Sequence, residues 1–151
     1  MKAAPTLDGR LRIDLESDTD LMVLRSAPLD ARLGSDRLME RLGEGMTGEI
    51  GDDWRDFVLP DLREQFDGQL KRVVEILGDA EVGRPVFVDA AAAEAWYGTF
   101  NQARLALEER FQIAGEDDLA TMENERRAAA IRSRAYATLQ SLILGCLMDR
   151  E

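Results

Sequence analysis

Residues 96–107 read WYGTFNQARLAL, and the fold follows from how this stretch is arranged. At about 100° per residue, Trp96, Phe100, Ala103 and Leu107 fall within one arc that Phe111 extends, with Tyr97 and Arg104 at its margin. The spacing predicts a helix with one apolar face and an arginine set partly into it. A guanidinium carries five donors, and an unpaired buried charge is strongly destabilising. An acceptor is therefore expected opposite Arg104, either a carboxylate or the carbonyls of a helix C-terminus. Asn101, three residues earlier, is placed to join Arg104 in a buried polar network. That network either fixes the register of two helices or binds an anion.

Outward from this helix, Asp89 offers its N-cap, and its end is expected near Ile113, with Gly115 as the residue that stops it. RPVFV at 84–88 is β-branched and aromatic, and RLRIDL at 10–15 alternates apolar with charged residues. The two are expected to pair as a short two-stranded ribbon, which needs helices to lie against. Ser17 caps a helix that reaches Ala27, where Pro28 interferes, and DRLMERL at 36–42 reads as a second, short helix. LGEGMTGEIGDD at 42–53 reads as a glycine-rich loop whose Asp52 caps the next segment. From Asp53 to Leu77, Leu59, Leu62, Phe66, Leu70, Val73 and Leu77 share one side, with Pro60 suited to a first turn. The last pattern runs from Asp117 to Met148 with Ala128, Ile131, Ala135, Leu139, Leu142 and Cys146 on one face and a break near Thr121 or Asn124. The expectation is a single domain over 1–151, mainly α. It is a compact bundle of about five helices, with strands at 10–15 and 84–88 and little order in residues 1–9.

Composition removes several functions. The chain has no histidine and one cysteine, Cys146, so Ser-His and Cys-His nucleophiles, HExxH sites, the Glu-x-x-His di-iron bundle, CxxC motifs and an internal disulfide are all absent. A net charge of -11 opposes phosphate backbones and anionic lipid. The longest apolar run, Leu142 to Met148, is too short to span a bilayer. A cytoplasmic protein with no membrane association is expected.

Three stretches carry a family resemblance: W-Y-x-x-x-N-x-A-R-L at 96–105, D-W-R-D-F-V-L-P-D-L-R-E-Q-F at 53–66, and Y-x-x-L-x-x-L at 136–142. Together they resemble the uncharacterised bacterial family designated domain of unknown function two thousand and seventeen. The resemblance implies a small helical cytoplasmic protein, regulatory or stress-linked more than metabolic, in which Trp96, Asn101 and Arg104 hold the bundle. A thiol switch within one chain would need a second cysteine.

Other motifs carry less. Gly43-Glu44-Gly45-Met46-Thr47-Gly48 matches GxGxxG, but it follows a helix, contains Glu44, precedes Glu49 and lacks a βαβ unit, so it reads as an interhelix loop. Glu116-Asp117-Asp118 and Asp52-Asp53 start helices, where acids complement the dipole without a metal. Arg126, Arg127, Arg132 and Arg134 concentrate positive charge, a candidate basic patch that helical spacing spreads over more than one face, with Glu123 and Glu125 nearby and the acidic faces of other helices as partners. No catalytic, cofactor-binding or metal-ligating residue is assigned, and no cofactor is expected. The leading reading is a non-enzymatic protein-interaction or regulatory domain, acting on a protein partner or on itself as a homodimer. The alternatives are a DNA-associated regulator using the arginines of the last helix, and a carboxylate-metal-dependent enzyme.

Overall fold

A computed structural model describes residues 1–113 and 119–148, with the backbone alone at Ser35, Asp36 and Leu38. Leu11–Asp14 (β2) pairs antiparallel with Val86–Val88 (β3), with Leu11 opposite Val88 and Ile13 opposite Val86. All four of these side chains are buried and Arg12 is exposed, as period-two alternation requires. The ribbon has a third member. Lys2–Pro5 (β1) pairs antiparallel with β2 across a turn containing Gly9 at φ 87°, in the stretch expected to have little order. Its side chains are mostly exposed and give no apolar rhythm to read; backbone pairing holds it, and Pro5 is tolerated because β1 is an edge strand.

Five α-helices follow: Asp18–Leu42 (α1), Gly48–Asp53 (α2), Leu59–Leu77 (α3), Ala93–Phe111 (α4) and Asn124–Ile143 (α5). α1 begins as expected, with the Ser17 hydroxyl accepting from the Asp20 N–H at 3.2 Å. It does not stop at Pro28, and the expected second helix at 36–42 is its last two turns. Proline in a helix interior costs about 3 kcal/mol. Here Leu24, Ala27, Pro28 and Ala31 are all buried, and packing of that face outweighs the local cost. The glycine-rich loop shrinks to residues 43–47, with Gly45 at φ 84° and Gly48 at φ 63°. Asp52 caps nothing; it lies within α2 and pairs with Arg55.

α2 runs into α3 through a π-turn at Trp54–Val58, where the Leu59 N–H reaches back five residues to the Trp54 carbonyl. Proline clashes with the carbonyl four residues before it. The widened turn immediately ahead of Pro60 gives its ring room, so the helical run continues instead of starting at the proline. α4 is led in by a 3-10 turn at Ala90–Ala92 that Asp89 caps, its Oδ1 accepting from the Ala92 N–H at 2.8 Å. It ends one residue before Gln112, which takes the left-handed conformation at φ 50°; Gly115 lies outside the described residues. A 3-10 turn at Leu119–Thr121 precedes α5, so the last pattern is indeed broken. The buried face of α5 is Ala129, Tyr136, Leu139 and Ile143, rotated from the expected Ala128 and Ile131, which are exposed.

The four long helices alternate in direction. α1 and α4 run together, Gly34 meeting Ala106 and Arg41 meeting Glu109. α3 and α5 run against them, with Arg63 at Met39 and Arg25 at Ala80, and Arg126 at Phe111. α4 packs on α1, α3 and α5. The sheet covers one end, where Leu11, Ile13, Val86 and Val88 join Trp96, Phe100, Tyr136 and Leu70 in one apolar core.

Candidate functional site

Two polar networks tie α5 into the bundle. In the first, Arg104 Nη1 donates to Gln140 Oε1 at 2.7 Å, and Gln140 Nε2 donates to Asn101 Oδ1 at 3.2 Å. Arg104 and Asn101, the two residues of the expected buried network, both meet Gln140, a neutral amide on α5 and not a carboxylate or a helix end. An amide both accepts and donates, so one side chain relays the arginine to the asparagine. Gln140 is buried, Arg104 half-buried and Asn101 exposed, and Arg104 Nε is buried with no partner among the described residues.

The second network centres on Asp30, 9% exposed. Its Oδ2 accepts from Arg132 Nε at 2.9 Å and from the Tyr136 hydroxyl at 2.8 Å, and its Oδ1 accepts from Arg132 Nη2 at 3.3 Å. The Tyr136 ring stacks on Phe100 with centroids 5.6 Å apart, and Phe100 lies 5.7 Å from Trp96. Burial first, and then the adjacent Asp30 carboxylate, push the Tyr136 phenol far above its ordinary range. Asp30 has no role in the sequence-based expectations, and Tyr136 enters them only through the family resemblance. A signal existed: Asp30 continues the Val23, Ala27 spacing of the buried face once α1 is read through Pro28.

The arginines of the candidate basic patch are held by the protein itself. Arg126 donates to the Phe111 and Gln112 carbonyls at 3.1 and 2.7 Å, closing the C-terminus of α4. Arg127 donates to the Leu119, Ala120 and Met122 carbonyls at 2.8 to 3.3 Å, binding the 3-10 turn to α5. Arg132 is the partner of Asp30, and Arg134 is exposed. The described bonds of Arg126 and Arg127 thus run to backbone carbonyls, where Glu123 and Glu125 were expected. Among the described residues no group of three acids, cysteines or histidines could hold a metal. Asp52 is engaged with Arg55, and Glu116, Asp117 and Asp118 lie outside the described residues. Cys146 is half-buried against the core.

A groove of ≈ 350 Å³ runs between α1 and α4, floored by Asp30, Gly34 and Leu107. Its acids are already paired, Glu109 to Arg37 and Arg41 and Asp30 to Arg132, Arg110 lies against the Phe111 ring, and the groove contains no nucleophile beside a base. No helix among the described residues is long and apolar enough to cross a membrane.

Exposed apolar side chains stand on α1, where Met22, Leu29 and Leu33 are exposed and Leu33 lines this groove, and a second group lies beyond it. From the end of α1 through α2 and the π-turn, Leu42, Met46, Ile50, Phe57 and Val58 are all exposed, Ile50 at 71% and Phe57 at 68%. Ile50, Phe57 and Val58 are seven and eight residues apart and share one side of this helical arm. The stripe continues into α3, where Leu59, Leu62 and Phe66 are half-buried before Leu70, Val73 and Leu77 enter the core. The apolar face of this helical run is longer than the bundle that covers it.

Set against known proteins, the chain is matched over residues 6–147 by a family model described as Domain of unknown function (DUF2017). No curated protein and no solved structure matches it.

Proposed function

The chain belongs to the DUF2017 family, and on that premise we propose that it is a non-enzymatic interaction domain, with a regulatory role exerted through a protein partner. The observation that carries this reading is the exposed apolar arm, above all Ile50 and Phe57. A contiguous exposed apolar surface rimmed by polar residues marks a place where another protein sits. Catalysis has less support: the buried carboxylate Asp30 is already satisfied by Arg132 and Tyr136. DNA binding through α5 has less support as well, because Arg126, Arg127 and Arg132 spend donors within the bundle, leaving Arg134 as the exposed member of the four. A cytoplasmic setting is part of the proposal.

The test is affinity capture from the native cell with the tagged full chain, in parallel with an Ile50→Ala/Phe57→Ala variant. Both residues are exposed, so circular dichroism and the melting temperature should match the wild type. A partner captured by the wild type and lost by the folded variant supports the reading. Partners indifferent to the variant, or turnover of a nucleotide, ester or peptide by the purified protein, overturn it.

A further inference from the structure

The charge pattern on the arm says what kind of partner it fits. Glu40, Glu44, Glu49, Asp53 and Asp56 are exposed along the same segment as the apolar side chains. None of the five meets a cation within ion-pair distance among the described residues, because the nearby Arg41 and Arg55 are engaged by Glu109 and Asp52. The apolar surface is therefore interleaved with uncompensated carboxylates. Facing another copy of itself, such a surface brings like charges together, and it repels nucleic acid and anionic membrane for the same reason. It complements a helix with one apolar face flanked by Lys and Arg, which buries its anchors against Ile50 and Phe57 while its cations meet the acids. We propose that residues 42–58 form a docking surface for a basic amphipathic helix of a partner protein. This rests on the interaction role proposed above and adds the partner's chemistry. Trp54, half-buried with its ring against Gly43 in the same segment, is a built-in reporter of occupancy.

The experiment uses the full chain and a synthetic amphipathic helical peptide of Leu and Lys, beside a counterpart with every Lys replaced by Gln and the same apolar face. Binding is read by calorimetry and by Trp54 emission at low and high salt. The Lys peptide should bind, lose about tenfold in affinity as salt screens the acids, and shift the tryptophan emission to shorter wavelength. Glu49→Gln/Asp53→Asn/Asp56→Asn should weaken it by a similar factor, and Ile50→Ala/Phe57→Ala should remove the emission shift. If the Gln peptide binds as well as the Lys peptide and the alanine variant abolishes both, the basic character is wrong and the docking role stands. If the alanine variant leaves both unchanged, the docking surface itself is wrong. Failure of the Lys peptide to bind overturns the partner chemistry, while the capture experiment judges the interaction role separately. A concentration-dependent dimer that the alanine variant dissolves overturns it in favour of a second copy.

Discussion

At Arg104 the guanidinium is held by an amide and keeps one buried N–H without a partner, so much of what this side chain supplies is the volume of its stem. Arg104→Met should cost about 1–2 kcal/mol, chiefly the Gln140 carbonyl left unpaired. Arg104→Ala should cost about 1–2 kcal/mol more through the space it opens. Urea denaturation separates the two, and anion binding by the wild type that both variants abolish equally would point to a ligand-binding role instead. Tyr136 gives a pH-dependent counterpart. Its phenol is raised above the ordinary value of 10.0, so the folded state prefers the neutral form. That contribution is full below the pKa of the unfolded tyrosine and is lost as pH rises beyond it. In a Tyr97→Phe background, phenolate absorbance should therefore appear only together with alkaline unfolding, and Tyr136→Phe should flatten the loss of stability above about pH 10. Arg104 was legible because helical spacing alone puts it on the apolar margin. Gln140 and the pairing of Asp30 with Arg132 were not, since partners 36 and 102 residues apart depend on which helices face each other.

Among the elements, α1 and α4 meet closely enough to exclude a methyl group. A Cβ on Gly34 would lie 2.2 Å from Ala106 Cβ, nearer than two carbons can approach. Gly34→Ala should therefore destabilise by about 1–3 kcal/mol, despite alanine's better helix propensity. Adding Ala106→Gly should recover most of that loss, because the methyl moves from one helix to the other; a double variant no better than the single would show that the helices meet elsewhere. Such a contact needs α1 to be continuous, and here reading by local rules falls short. Proline and glycine punctuate a sequence reliably when nothing else acts on the backbone, but at Pro28 burial prevails. At Pro60 a π-turn absorbs the clash that would have begun a new helix. The strands at 11–14 and 86–88 were legible because alternation encodes a half-buried strand directly. β1 was not, because an exposed edge strand owes its place to backbone hydrogen bonds that any side chains allow.

Across the whole molecule, a net charge of -11 means that folding gathers like charge into a small volume. Moderate salt should raise the melting temperature by a few degrees by screening that repulsion, and a fall would mean that the internal ion pairs dominate. The central position of α4 has a consequence for how the molecule is made. Both helices that flank it on the N-terminal side, α1 and α3, leave the ribosome first, and the helix they pack on ends only at Phe111. At about 5–20 residues per second, the nascent chain carries Leu24, Ala27, Leu70 and Val73 for some seconds before the surface that shelters them exists. Slow codons placed just ahead of α4 would lengthen that interval and increase the demand for chaperones, without changing any residue of the finished protein.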